Sequence, residues 1–187
     1  MDNNNELKPH FFNEEKESVG YLFRHRFPWL LLGLLGGIAV SVIIAKYEAI
    51  LSQDIRLAFF IPVIVYMSDA IGTQTETIYV RGLVKKHTRF FVYLFKETVL
   101  GLGLGGFFGI VLGLFASVWL RSPAIGLTVG LAMFASVALA PVLALVIPAV
   151  LVKEHRDPAF GAGPFATIIQ DLVSVLIYFS MATLIIF

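Results

Sequence analysis

Thr98-Val-Leu-Gly-Leu-Gly-Leu-Gly-Gly-Phe-Phe-Gly-Ile-Val-Leu-Gly-Leu-Phe-Ala-Ser-Val-Trp-Leu120 is a run of 23 residues without a single charge. As a helix rising 1.5 Å per residue it is longer than the roughly 30 Å thickness of a bilayer's hydrocarbon core. The segment therefore reads as a membrane span. Its glycines, Gly101, Gly105, Gly109 and Gly113, recur every four residues and form a ridge of small residues along one helix face. Such a ridge lets a second helix approach closely, so it predicts packing or dimerisation and no chemistry.

Working outward, similar runs cover Phe27–Tyr47, Leu57–Gly82, Pro123–Val152 and Pro164–Phe187, which gives five spans. The second contains Asp69, Gln74 and Glu76. The fourth is long enough that tilt, or a break at Pro141 or Pro148, is expected. The composition agrees: 58% hydrophobic and 14% charged residues, with a mean hydropathy of +0.84, leave too little charge to cover a soluble domain. Zero cysteines exclude disulfides and thiolate metal sites, and a net charge of +1 gives no electrostatic footprint for nucleic acid. The sequence thus predicts an all-α integral membrane protein whose first partner is the lipid bilayer.

Lysine and arginine set an orientation. Lys8, Lys16, Arg24 and Arg26 precede span one; Arg81, Lys85, Lys86, Arg89 and Lys96 separate spans two and three; Lys153 and Arg156 separate spans four and five. The other side carries only Lys46, Arg56 and Arg121. By the positive-inside rule the N-terminus is cytoplasmic and the C-terminus outside, as an odd number of spans requires. Residues 1–26 lack the basic start and apolar run of a cleavable signal and mix charge with aromatics, so they read as a cytoplasmic segment along the membrane interface. Residues 27–187 form the membrane domain. No internal repeat is evident, and an inverted-repeat transporter would need two chains.

Three carboxylates fall within the spans: Asp69, Glu76 and Asp171. Each costs roughly 2.5–3.5 kcal/mol to insert near the bilayer centre, which calls for a function. Asp69, Thr73 and Glu76 stand at i, i+4 and i+7, with Gln74 and Thr77 on the flank, while Thr167, Asp171, Ser174 and Tyr178 repeat the pattern in span five. Two apolar helices thus each carry a stripe of oxygen atoms, the ligand type that hard cations prefer. The competing reading is that the hydroxyls are only interhelical hydrogen-bonding groups, and that Glu76 pairs with Arg81 at a helix end. Pro62 stands just ahead of the span-two stripe and is expected to free a backbone carbonyl inside the membrane, whereas Pro164 reads as an ordinary helix-start proline. Four histidines, all outside the spans, make an imidazole site in the membrane improbable.

Pro62-Val-Ile-Val-Tyr-Met67-Ser-Asp-Ala-Ile-Gly72-Thr-Gln-Thr-Glu-Thr-Ile-Tyr-Val-Arg81-Gly82 resembles the second transmembrane helix of the MgtE family of magnesium channels or transporters. That helix runs through proline, methionine, a glycine–asparagine pair, Gly-Thr-Gln and Arg-Gly. Asp157-Pro158-Ala159, Gly163-Pro164, Thr167, Asp171 and Leu176-Ile177-Tyr178-Phe179 resemble the family's last helix. The likeness runs from about Phe27 to the C-terminus.

The resemblance implies a homodimeric bundle of five-helix protomers in the cell's inner membrane, with a cation pore at or near the dimer interface. Its cargo would be Mg2+, or Mn2+ or another divalent cation. The family's ion-binding aspartate maps onto Asp171, with Thr167 and Gly163 beside it, and the helix-two lining maps onto Ala70, Gly72, Thr73 and Gln74. Ser174 extends the lining, and Asp69 and Glu76 join the metal-facing set. Three departures stand out: Ala70 replaces the family's asparagine, Asp69 replaces the preceding glycine, and Glu76 stands where an apolar residue is usual. The family's large cytoplasmic sensor domains have no counterpart in this sequence, so gating by them is not expected here. Magnesium keeps its waters reluctantly shed, so a few carboxylates and carbonyls reading a hydrated ion make chemical sense. The alternative is a cation- or proton-coupled exchanger using Asp69, Glu76 and Asp171. Enzyme chemistry is not expected, because Tyr66-Met-Ser-Asp69 and Gln170-Asp171-Leu172 lack the signatures of intramembrane aspartyl proteases.

Overall fold

The computed structural model describes residues 17–84, 89–153 and 158–187, with the side chains of 84 and 158–162 left aside. The structure is all-α, with no strand among the described residues. In chain order come α1 (Val19–Lys46), the short α2 (Glu48–Gln53), a 3-10 turn (Ile55–Phe60), α3 (Ile61–Val84), α4 (Phe90–Leu120), α5 (Pro123–Lys153) and α6 (Pro158–Ile185). Five stretches are long and apolar enough to cross a membrane: Val19–Lys46, Ile55–Leu83, Phe90–Leu120, Pro123–Lys153 and Gly163–Ile185.

The spans sit where hydropathy places them, but three of the helices begin earlier, α6 among them at Pro158. Ser18 caps α1 by accepting a hydrogen bond from the Tyr21 amide at 3.3 Å, so Val19–Arg26 are helical and continuous with the first span. Helix α4 starts at Phe90 rather than near Thr98, because the aromatic run Phe90–Phe95 prolongs it past the charged residues Lys96 and Glu97. The expected interfacial residues 1–16 lie outside the described part.

Helix α5 is the centre of the bundle. It packs on α4 along one side and on α6 and α3 along the others, burying Val129, Ala132, Met133, Val137, Ala140 and Ala144. Of the tilt or break expected at Pro141 or Pro148, the break does not occur: α5 is continuous through both prolines. Each proline leaves one carbonyl a turn upstream without its helical partner, but neighbouring helices hold the segment in place. Gly101 makes room for the Pro141 ring, since a β-carbon at Gly101 would lie 3.0 Å from its Cγ.

The ridge predicted in span three is the contact that binds α4 to α5. A β-carbon on Gly109 would sit 2.7 Å from the Gly130 carbonyl oxygen, one on Gly105 2.7 Å from the Phe134 carbonyl oxygen, and one on Gly126 2.7 Å from the Gly113 carbonyl oxygen. Backbone meets backbone there, as small-residue helix pairs in membranes do.

The two prolines singled out in the sequence stand in different helical settings. Pro62 is the second residue of α3, directly after the 3-10 turn Ile55–Phe60, and supplies no amide to the carbonyls of that turn. Pro164 lies inside α6, which already begins at Pro158, and lacks the amide that would close the turn onto the Phe160 carbonyl.

Helix α1 buries no residue of its own and packs chiefly against α6. The two run parallel, with Gly36 against Ile168 and Tyr47 stacked on Phe179 at 4.2 Å between centroids. Helix α3 runs antiparallel to α6. Its approach is tied by buried Tyr178, whose hydroxyl donates to the Leu57 carbonyl at 2.6 Å. Ser68 of α3 donates to the Ser136 carbonyl of α5 at 3.4 Å. Between the first two spans, Arg56 donates to Asp54 at 2.8 Å (Nε to Oδ1) and 2.6 Å (Nη2 to Oδ2), and reaches the Leu120 carbonyl at the end of α4 at 3.3 Å.

Two outcomes follow from these contacts. Gly109→Val or Gly126→Val should lower the melting temperature in detergent by several degrees, and Gly103→Ala or Gly106→Ala, where a β-carbon meets nothing within 4 Å, should leave it unchanged. The hydrogen bonds from Arg56 hold the Asp54 carboxyl below its ordinary value of 3.8. A lowered carboxylate stabilises fully above the unfolded value and loses that contribution as pH falls through the folded one. Hydrogen-exchange protection of the Arg56 amide, which Asp54 accepts at 3.0 Å, should thus be flat from neutral pH to about 5 and fall only below 3.8.

Candidate functional site

The carboxylates of the second and fifth spans meet along the seam between α3 and α6. Thr167 of α6 donates its hydroxyl to Asp69 Oδ1 of α3 at 2.9 Å. One turn further along α3, Gly72 is buried against the side-chain amide of Gln170. A turn beyond that, the Glu76 carboxylate faces Gly163, where a β-carbon would lie 3.9 Å from Oε1. Asp69, Gly72 and Glu76 stand at i, i+3 and i+7 and so share the face that α6 covers. Asp69, Glu76, Thr167 and Asp171 are all half-buried.

The expected stripes divide on inspection of what each side chain touches. Thr73 and Gln74 do not follow Asp69 into the seam; with Thr77 they are exposed on the adjoining face of α3, next to half-buried Ala70. Ser174 is 1% exposed and points into the protomer, its hydroxyl without a hydrogen-bond partner, so it does not line an open surface here. Tyr178 serves the helix-to-turn anchor described above. Glu76 is not at a helix end, since α3 continues two turns beyond it to Val84. Its environment is set by α6.

Two polar contacts were not foreseen. Buried Thr75 donates to Glu97 Oε2 of α4 at 2.8 Å, tying α3 to α4 beside the seam. Glu97 lies just outside the charge-free run that starts at Thr98, and the aromatic run from Phe90 is the signal that carries the helix across it. Gln170 was noticed only as Asp171's neighbour, yet it is 1% exposed and its Oε1 has no partner. Gly72, the residue that admits it, was the available signal.

Among the described residues no group of three or more histidine, cysteine, aspartate or glutamate side chains is placed to hold a metal ion directly. The seam therefore offers spaced, singly acting carboxylates with hydroxyl and amide neighbours. That donor set suits an ion that keeps its water shell better than one stripped bare, because spaced acceptors can bind coordinated water while a dehydrated ion needs convergent ligands.

Residues 61–181, the stretch that contains all three carboxylates, match the MgtE family, described as a divalent cation transporter. The chain is 33% identical over 162 residues to the magnesium transporter MgtE of Enterococcus faecalis, covering 85% of this chain and 36% of that protein. It is 31% identical over 161 residues to the magnesium transporter MgtE of Bacillus subtilis (84% and 36%), and 28% identical over 169 residues to that of Thermus thermophilus (87% and 37%). The chain thus spans a little over a third of the length of the curated relatives it matches. With five membrane-spanning helices and a family match across most of them, the chain belongs to the MgtE family of divalent cation transporters.

Proposed function

We propose that this chain carries hydrated divalent cations, Mg2+ foremost, across the cell's inner membrane along the α3/α6 seam. The observation that carries the reading is the pairing of three half-buried carboxylates with an exposed polar stripe at membrane depth. Thr73, Gln74 and Thr77 would face acyl chains if a protomer stood alone in lipid, which polar side chains at that depth avoid. A second copy placed against this face would enclose a polar path lined by Ala70, Thr73 and Gln74 from both chains. Asp171 then holds the ion through its waters, with Asp69 and Glu76 supplying further negative charge and Thr167 fixing the Asp69 carboxylate. Gly72 admits the Gln170 side chain, and Gly163 leaves the Glu76 carboxylate uncrowded. The relatives' description as magnesium transporters supports the choice of ion, and the excess of lysine and arginine on the connections facing the N-terminus supports a cytoplasmic N-terminus. Transport, rather than an enzymatic reaction, is the role such spaced acceptors suit.

Reconstituted in proteoliposomes, Asp171→Asn should reduce Mg2+ flux by about ten- to a hundredfold, the effect of weakening one charged hydrogen bond to the ion's water shell, while elution volume and melting temperature stay those of wild type. Wild-type flux in this variant would contradict the assignment of Asp171. Replacing Mg2+ by Mn2+ or Ca2+, and adding sodium or pH gradients, separates divalent permeation from coupled exchange.

A further inference from the structure

Gln170 stands at the middle of the seam, and nothing in the reading above gives it a role. Its side chain is 1% exposed, and its amide presses against α3 so closely at Gly72 that a β-carbon there would overlap Oε1 and lie 2.6 Å from Cδ and 2.7 Å from Nε2. Gly72 is three residues past Asp69 and four before Glu76, so a neutral amide is wedged between two carboxylates of the same helix face. Oε1 has no hydrogen-bond partner in the protein. An unpaired buried acceptor is a net cost, and an apolar side chain of similar length would fill the same notch without it. Packing alone therefore does not account for the amide.

Rotation does. Consecutive residues of a helix are about 100° apart, so seating Gln170 in the Gly72 notch fixes where the next residue, Asp171, projects. The Thr167–Asp69 hydrogen bond fixes the same rotation one turn earlier. Together they hold Asp171 half-buried at the edge of the seam, and the uncharged amide separates Asp69 from Glu76 without adding a third charge between them.

Resting on the divalent-cation reading of the α3/α6 seam, we propose that Gln170, locked into the Gly72 notch, is the positioning residue that aims Asp171 at the ion and keeps the site's carboxylates apart. The lock predicts a particular division of effects. Gln170→Met fills the notch with an apolar chain and removes the orphan acceptor, so the melting temperature should stay the same or rise. Its half-saturating Mg2+ concentration should rise by about three- to tenfold, because a less firmly aimed Asp171 makes a weaker hydrogen bond to the ion's water shell, with maximal flux changed by no more than about twofold. Gly72→Ala expels the amide and should show the same shift in half-saturation together with a lower melting temperature. Combining Gly72→Ala with Gln170→Ala relieves the overlap and should restore the melting temperature but not the half-saturating concentration.

Half-saturation at the wild-type value in Gln170→Met, or restored along with stability in the double variant, would make Gln170 a space-filler and overturn the proposal. Asp171→Asn measured in the same vesicles separates the two levels of inference. If it loses flux while Gln170→Met is unaltered, the positioning role alone fails. If it transports as wild type, the cation reading of the seam fails and this role with it.

Discussion

Hydrocarbon gives helices little incentive to bury apolar side chains against one another, since lipid tails are equally apolar. What holds this bundle is close approach of backbones, and that approach is possible only where side chains are absent. The α4/α5 pair is the clearest case: the carbonyl oxygens of Gly130 and Gly113 occupy space that any β-carbon on Gly109 and Gly126 would need. Because α5 is fastened to α4 in this way, its remaining faces are free to carry α3 and α6, and its two prolines can be tolerated within a continuous helix. Gly72 and Gly36 use the missing side chain differently, as notches on α3 and α1 that admit the Gln170 and Ile168 side chains of α6.

The polar seam depends on that scaffold. Asp69, Glu76 and Asp171 belong to two helices that the chain separates by almost a hundred residues, and they come together because α3 and α6 both pack on α5. Charged groups at this depth need partners, and the seam provides them unevenly. Asp69 has the Thr167 hydroxyl, Glu76 lies over a glycine, and Gln170 contributes an amide whose oxygen is unpaired. An arrangement with acceptors left over is costly for a purely structural interface. It is the arrangement expected where water and a cation complete the set of partners.

The spans and their number were legible because apolar runs longer than the hydrocarbon core have few other readings. So was the small-residue ridge, whose four-residue spacing alone identifies a packing face. The seam's acidic residues were legible as exceptions within apolar runs. Helix ends were less so, since Phe90–Phe95 and Val19–Arg26 mix aromatics with charge and local composition does not say whether they continue a helix. The position of Pro164 misled for the same reason: it reads as a helix start, but α6 begins six residues before it. Helical periodicity placed Thr73 with Asp69 and Ser174 with Asp171, but which part of a polar stripe faces a neighbour depends on how far round that neighbour wraps. Gln170 could not be singled out, because its burial is created by a glycine on another helix.

The absence of any cysteine in the sequence permits a direct test of the proposed path. Single cysteines placed along α3 from residue 66 to 78 can be treated in sealed vesicles with a membrane-impermeant thiol reagent, with and without Mg2+. The account predicts that positions 70, 73, 74 and 77 react, that position 71, buried against the rest of the protomer, does not, and that Mg2+ slows the reaction at 70, 73 and 74. Unreactive cysteines at 73 and 74, or labelling there that Mg2+ leaves unchanged, would contradict a hydrated cation path along this face.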